Sequence, residues 1–196
     1  MYEYRKMTRV ERKQILQYRR SMGIPLHAPP HMSDLEGDFL ISAACIDHQR
    51  IFDSPEELTW LSQEILQALL EAKLLCLAWV FLPNHYHVLL RLTSTREVSE
   101  ILRRRHSLIS TKINIRQQHK GRQVWYRFSD RNIRSERHYW TTMNYIHFNP
   151  VKHNYVDSMV AWPWSSVHEY LDKFGEEYLR QIWGLYPVQN YGKSWD

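Results

Sequence analysis

The amino-acid sequence predicts an α+β fold, in which helices pack against an antiparallel sheet. Three observations predict it: short apolar runs typical of strands, helical segments with recognisable start signals, and the order in which the two alternate. With 196 residues, 43% of them hydrophobic, the chain is long enough for one globular domain with a buried core.

The first strand and the first helix follow each other closely. The apolar run "DFLISAACI" (38–46) predicts the strand. The helix begins after Ser54, where Pro55 suits the first turn and Glu57 completes a capping box with Ser54. Leucine and isoleucine then recur at helical spacing, so one face of this helix is expected to lie on the core.

Two further strands are predicted to form a hairpin. The run "LLCLAWVFL" (74–82) is apolar throughout, which is typical of a central strand covered on both faces. Pro83 and Asn84 interrupt it, and "HYHVLLRL" (85–92) follows directly as the next strand.

After the third strand, the sequence predicts a helix, a strand and another helix. A helix of about 95–119 begins after Ser94, and "QVWYRFSDRNI" (123–133) predicts a fourth strand with a loop. Ser135 opens a third helix, which Pro150 is expected to stop. The order is β-α-β-β-α-β-α, whose first six elements have the ferredoxin-like pattern with an antiparallel sheet. An aromatic-rich C-terminal segment is expected to add one or two short helices.

The chain divides into three predicted regions. Residues 1–37 combine a basic helix with a linker rich in Gly and Pro, 38–172 form the compact domain, and 173–196 form a C-terminal tail. We find no apolar run long enough for a bilayer and no signal peptide, so no membrane partner is expected. Cys45 and Cys76 lie in apolar contexts without C-x-x-C spacing, which predicts reduced, packed thiols in a cytosolic protein.

Basic charge is concentrated in two segments of the chain. The formal net charge is +5, but residues 96–153 hold thirteen Lys and Arg against four Asp and Glu, and residues 1–22 hold seven against two. Such clustering predicts a surface that binds a polyanion such as nucleic acid. A solvated, arginine-rich helix face gives the same pattern, so charge alone does not decide between them.

Two histidines stand out in the third predicted strand. His85 and His87 lie two residues apart, so both side chains point to the same face of the strand. Their imidazole nitrogens can share one metal ion, and imidazole suits transition metals such as Mn, Zn or Fe. Taken alone, the pair is equally consistent with a structural role.

A second group of polar side chains lies near the end of the third predicted helix. Tyr145 and Asn149, in "NYIHFNP" (144–150), are four residues apart and can face one way. A tyrosine hydroxyl can attack phosphorus and hold the product as a covalent ester. Alone, a helical tyrosine is more often a packing residue, and an Asn before Pro is more often a helix stop.

Together these motifs resemble a known family. "LPNHYH" at the start of a strand, then "YIHFNPVKH" and later "WPWSSVHEY" are similar to the single-tyrosine HUH transposases, and more narrowly to the REP-associated tyrosine transposases. The resemblance covers about residues 38–172, the predicted catalytic domain. It implies a metal-dependent endonuclease and strand transferase for single-stranded DNA that carries a hairpin.

The resemblance also assigns a role to each motif residue. His85, His87 and Asn149 would be ligands of a divalent metal, Mg or Mn. Tyr145 would be the nucleophile, on a catalytic helix, and would form a 5′-phosphotyrosine intermediate. No nucleotide cofactor is implied, since the ester keeps the bond energy. No general base for Tyr145 is identifiable from the sequence.

Basic side chains around these motifs are predicted to contact DNA. Lys and Arg neutralise phosphates, and aromatic side chains in 123–133 offer surfaces on which unpaired bases can stack. The predicted DNA contacts are Arg104, Arg105, Lys112, Arg127, Arg131, Arg134 and Lys152.

Two other functions are weighed against the transposase. A domesticated DNA-hairpin-binding protein would bind the same substrate without cutting, but it has no need of all four motif residues. A zinc-dependent hydrolase would need a further His, Asp or Glu ligand and a base, and none is marked by spacing. The resemblance further implies a bacterial, cytoplasmic, nucleoid-associated protein that acts as a monomer or a homodimer.

Overall fold

The computed structural model of the chain describes residues 8, 10, 13, 14, 17 and 36–192. The predicted basic helix and linker at the N-terminus lie almost entirely outside these described residues. No helix in the described part of the chain combines the length and the apolar character needed to span a bilayer. The strands are β1 (Gly37–Ala44), β2 (Leu75–Leu82), β3 (His85–Leu92) and β4 (Ser129–Asn132), and the helices are α1 (Pro55–Glu71), α2 (Thr95–Arg116), α3 (Glu136–Lys152), α4 (Val167–Phe174) and α5 (Glu176–Leu185).

The predicted fold class is confirmed. The four strands form one antiparallel sheet in the order β2-β3-β1-β4. Because β3 lies between β1 and β2, the first β-α-β unit is split, which is the ferredoxin-like arrangement. The predicted hairpin is also confirmed, with His85 opposite Leu82 at the turn. The predicted fourth strand is shorter than expected, and an isolated bridge between Cys45 and Trp125 precedes it.

β2 is an edge strand, so the prediction of a central strand is wrong. Its outer edge is covered by the segment before α4, where the Phe81 N–H donates to the Trp164 carbonyl and the Ser166 N–H donates to the Trp79 carbonyl, both at 2.9 Å. Its two faces pack against α1 and α3. A continuous apolar run therefore indicates that both faces of a strand are buried. It does not indicate whether the strand is central or at the edge of the sheet.

The predicted start of α1 is confirmed in detail. Ser54 Oγ accepts a hydrogen bond from the Glu57 N–H at 3.2 Å, and the Glu57 carboxylate accepts one from the Ser54 N–H at 3.3 Å. Both backbone donors would otherwise lack a partner at the helix terminus. This start fixes the face that α1 turns toward β2.

Pro150 does not stop α3, so this prediction is wrong too. The helix continues to Lys152, with Pro150 in its last turn. A proline removes one backbone donor, but the groups beyond it still bond normally. The His153 N–H donates to the Asn149 carbonyl at 3.1 Å and the Tyr155 N–H donates to the Pro150 carbonyl at 2.9 Å. Asn149 therefore keeps helical geometry and lies one turn from Tyr145.

Side chains of β3 alternate between two layers of helices. His85 and His87 face α3, whereas Tyr86 faces α2, where its hydroxyl lies 2.7 Å from His106 Nε2. Burial lowers the pKa of His106 to about 4, so the ring is neutral and Nε2 accepts a hydrogen bond from the Tyr86 hydroxyl. This bond explains how a tyrosine is accommodated in the core between the two histidines.

The two cysteines behave as predicted. Both are free thiols, with Cys45 buried and Cys76 half-buried. Burial raises the pKa of each thiol to about 12, so neither is reactive near neutral pH.

Candidate active site

β3 and α3 bring the four predicted catalytic residues together. His85 and His87 project from β3, and Tyr145 and Asn149 project from one face of α3. All four are at most 5% exposed. Two motifs that are far apart in the sequence thus meet in one buried site.

Short contacts join the two motifs. The Asn149 Oδ1 lies 2.9 Å from His85 Nε2, and the Tyr145 hydroxyl lies 3.3 Å from His87 Nε2. The two imidazole rings are 5.1 Å apart between centroids. An amide oxygen and a phenol oxygen therefore face the two ring nitrogens across the space between sheet and helix.

The second nitrogen of each ring is held by a neighbouring oxygen. His85 Nδ1 lies 2.7 Å from Asn84 Oδ1, and His87 Nδ1 lies 2.7 Å from Ser42 Oγ, across the β1–β3 pair. Oxygen partners at Nδ1 orient the rings, as they do for histidines that bind metals through Nε2. The sequence prediction missed both residues. The sequence does offer one indication for Ser42, which is a polar residue in the middle of an apolar strand. For Asn84 the sequence indicates only a position in a turn.

These residues fit a divalent cation. The Asn84 amide N–H donates to the His48 carbonyl at 3.2 Å, which turns Asn84 Oδ1 toward His85. His85 Nδ1 then donates to Asn84 Oδ1, which leaves Nε2 to face the Asn149 oxygen. Together with His87 Nε2, this nitrogen and this oxygen are atoms that can act as ligands of a divalent cation.

The donor set decides which metal suits the site. The described residues contain no group of three His, Cys, Asp or Glu side chains that could hold a metal. The third protein ligand would therefore be the amide oxygen of Asn149. Two imidazoles with one oxygen suit Mn better than Mg, which prefers oxygen ligands.

Residues of the C-terminal tail cover Tyr145. Gly192 packs so closely on the Tyr145 ring that a Cβ at this position would overlap it. The Lys152 Nζ donates to the Gly192 carbonyl at 3.1 Å and lies 5.1 Å from the centroid of the Tyr145 ring. Tyr191 packs edge-on against the same ring, and its hydroxyl is 3.0 Å from His138 Nε2 near the start of α3. The tail therefore lies along α3, over the hydroxyl-bearing side chain.

Replacing Gly192 with alanine is expected to lift the tail from Tyr145. The φ of +75° at Gly192 is costly for alanine, and the added Cβ overlaps the ring. We expect tetranitromethane to nitrate Tyr145 several-fold faster in Gly192→Ala, as measured by mass spectrometry of the tyrosine-containing peptide. Gly184→Ala is the matched control, since a Cβ there meets nothing within 4 Å. Equal nitration of Tyr145 in both variants and the wild type would show that the tail does not limit access.

The predicted DNA-contacting residues occupy different parts of the structure. Lys152 lies in the site itself. Arg131 and Arg134 lie near His138 at the start of α3, where their charges add to burial in lowering the pKa of His138. Arg127 lines a cleft beside α2. The structure thus brings Lys152 close to Tyr145, the predicted nucleophile.

Three other predicted DNA contacts lie on α2 and are paired with carboxylates. Arg104 pairs with Glu100 of the same helix. Arg105 and Lys112 both bind Glu64 of α1, at 2.9 and 2.8 Å, and the Lys112 hydrogen bond is the main reason that the pKa of Glu64 is lowered. Arg105 and Lys112 therefore tie α2 to α1, a role that the sequence does not reveal.

Two histidines near Tyr145 in sequence have different surroundings. His147 is fully buried, with Nε2 3.0 Å from Ser166 Oγ. Burial lowers its pKa to about 3, and it lies on another face of α3 from Tyr145. His153, which the sequence prediction did not include in the site, packs edge-on against His85 with 4.8 Å between centroids.

Comparisons with known proteins give consistent results. No family model matches the chain. The chain is 33% identical over 100 residues to a putative REP-associated tyrosine transposase of Haemophilus influenzae, covering 44% of this chain and 55% of that one. It is 30% identical over 128 residues to a REP-associated tyrosine transposase of Escherichia coli, covering 61% of this chain and 64% of that one. The chain therefore spans less than two thirds of the length of either relative.

A solved structure has the same fold. It is described as the REP-associated tyrosine transposase bound to a REP hairpin, and it is similar over 82% of this chain and 89% of that one, with a TM-score of 0.60 and 23% sequence identity. The resemblance of this chain to the REP-associated tyrosine transposases, predicted from its motifs, is therefore confirmed by sequence similarity and by fold.

Proposed function

We propose that the protein is a metal-dependent endonuclease and strand transferase that cuts single-stranded DNA beside a hairpin through a covalent 5′-phosphotyrosine intermediate. The observation that carries the proposal is the 3.3 Å contact between the Tyr145 hydroxyl and His87 Nε2, with Asn149 of the same helix face beside His85. Two relatives named as transposases, and a solved relative bound to a REP hairpin, support the substrate class.

Tyr145 performs the bond exchange in this mechanism. Its oxygen attacks the scissile phosphate, a new bond forms between that oxygen and phosphorus, and the bond from phosphorus to the 3′ oxygen breaks. The phenol proton is balanced by the proton that the leaving 3′ oxygen gains. The released 3′-hydroxyl can later attack the phosphotyrosine ester, so resealing or transfer needs no nucleotide cofactor.

The surrounding residues orient the reaction. A divalent cation bound by His85, His87 and Asn149 would supply charge neutralisation at the phosphate. Ser42 and Asn84 hold the two imidazole rings in place. Lys152 places a positive charge 5.1 Å from the Tyr145 ring, where it would attract the phosphate of a bound strand.

A DNA-hairpin binder that no longer cuts is the second candidate function. The tail favours it, because Gly192 and Tyr191 lie over the catalytic side chain. Incubation with hairpin-bearing single-stranded DNA and Mn or Mg separates the two. A protein–DNA band that survives denaturation supports the enzyme, whereas a mobility shift without any such band in either metal supports the binder.

The predicted cellular setting follows from this function. All four site residues come from one chain, which supports action as a monomer, although a homodimer is also consistent with the motifs. We propose that the protein works on bacterial DNA in the cytoplasm, with residues 38–172 as the catalytic domain and 173–196 as a tail from which Tyr191 and Gly192 cover the nucleophile.

A further inference from the structure

A cleft of about 1020 Å³ lies on the opposite side of the sheet from Tyr145. The orientation of Tyr86 shows on which side of the sheet the cleft lies. Its ring points away from His85 and His87. It contacts His106 and Trp125, which both line the cleft. One wall is α2, and the other is the segment 118–128 that leads toward β4. The mechanism proposed above makes no use of this space.

Among the described residues, all the side chains with a formal charge that line the cleft are positive. They include four cations and no Asp or Glu, although the chain as a whole holds 21 acidic residues. The cations are Arg103, Lys120, Arg122 and Arg127. A concave surface lined with one sign of charge concentrates ligands of the opposite sign, so the complementary ligand is an anion.

Aromatic and amide side chains line the same cleft. Tyr126 and Phe128 line the cleft and are half-buried, so part of each ring is accessible. Behind them His106 and Trp125 are buried and stack on each other, with 4.6 Å between centroids and 15° between planes. Gln118 offers hydrogen bonds of both kinds, whereas the Asn114 amide is bonded to Arg122. The Trp125 indole N–H is buried and has no acceptor among the described residues, although such groups are usually satisfied.

We propose that this cleft binds an unpaired strand of DNA, at a place separate from the strand that reaches Tyr145. Cations that neutralise phosphates, combined with aromatic rings on which bases stack, are the features of single-strand binding sites. A duplex is excluded because its bases are stacked inside and cannot reach side chains in a concave cleft. The proposal rests on the proposed function only in taking DNA as the substrate.

Binding of two labelled probes tests the proposal: an oligothymidine without secondary structure, and a blunt hairpin without unpaired ends. Arg103 is exposed on α2, so Arg103→Ala removes a cleft cation without disturbing the core. We expect Arg103→Ala to weaken oligothymidine binding about tenfold by fluorescence anisotropy, and its combination with Arg127→Ala to weaken it further. Blunt-hairpin binding should change less than about twofold. Arg180→Ala removes the same charge on α5, outside the cleft, and should change neither.

Two results would overturn the proposal. One is wild-type affinity of the cleft variants for oligothymidine, and the other is an equal loss for both probes, which indicates a general effect of charge. Photocrosslinking of an oligonucleotide that contains 5-iododeoxyuridine provides a second measurement. A crosslink in the peptide that holds Trp125 and Phe128 supports the cleft, and crosslinks confined to α3 contradict it.

The outcome is independent of the proposed cleavage. If the cleft variants selectively lose oligothymidine binding but the wild type forms no covalent protein–DNA band, the cleft proposal is supported and the cleavage proposal is refuted. If the wild type forms the band but the cleft variants show no selective loss, the cleavage proposal is supported and the cleft proposal is refuted.

Discussion

Tyr145→Phe is expected to abolish covalent attachment to hairpin-bearing single-stranded DNA and to leave DNA binding intact. The substitution removes one oxygen, and the ring keeps its contacts with His87 and Tyr191, at 5.2 and 5.5 Å between centroids. Loss of a nucleophile typically lowers a rate by several orders of magnitude, so we expect a decrease of more than about a thousandfold. The measurement is the yield of labelled protein–DNA band on a denaturing gel with Mn present.

Tyr191→Phe is the matched control for this prediction. Tyr191 touches the same ring, and burial raises the pKa of its hydroxyl, so it is an alternative tyrosine at the site that is expected to be unreactive. We expect Tyr191→Phe to keep the covalent band. If Tyr145→Phe still forms the band and Tyr191→Phe does not, the assignment of the nucleophile to α3 is wrong.

The second large effect is expected from the residues proposed as metal ligands. His87→Ala is expected to remove Mn binding, because the proposed site offers two imidazoles and one amide oxygen as protein ligands. Ser42→Ala is expected to weaken Mn binding about 10- to 100-fold, since it removes the oxygen that orients the His87 ring. Calorimetric titration of Mn measures both, and removal of the metal with EDTA should abolish the covalent band in the wild type.

Substitution of Asn149 tests whether its side chain is a metal ligand or only a hydrogen-bond partner of His85. Asn149→Asp is expected to bind Mn more tightly than the wild type, because a carboxylate is a stronger ligand than an amide for a hard cation. His119→Ala changes an exposed histidine outside the site and serves as the control for surface binding. Undiminished Mn affinity in the His85→Ala, His87→Ala double variant would refute the metal site.

Predictions from local sequence patterns were correct where the structural feature depends on residues close together in the chain. The capping box of Ser54 and Glu57 forms as predicted, because both partners lie within one helical turn. The alternation of β3 places His85 and His87 on one face for the same reason. Helical spacing likewise places Tyr145 and Asn149 on one face of α3, even though Pro150 follows.

Predictions that depend on distant packing were incomplete or wrong. The apolar sequence of β2 indicates two buried faces but not its edge position, which depends on the segment around Trp164. The basic run on α2 predicted DNA contacts, yet Arg105 and Lys112 bind Glu64 of a helix far away in sequence. Neither partner can be read from the residues that flank these positions.

The sequence by itself determined the fold class and the chemical groups on each face of β3 and α3, because period-two and period-3.6 patterns are local properties of the chain. Only the tertiary structure decided that these two faces meet, that Ser42 and Asn84 orient the imidazoles, and that Gly192 lies on Tyr145. These contacts join residues far apart in the chain, and their formation depends on how the whole core packs around them.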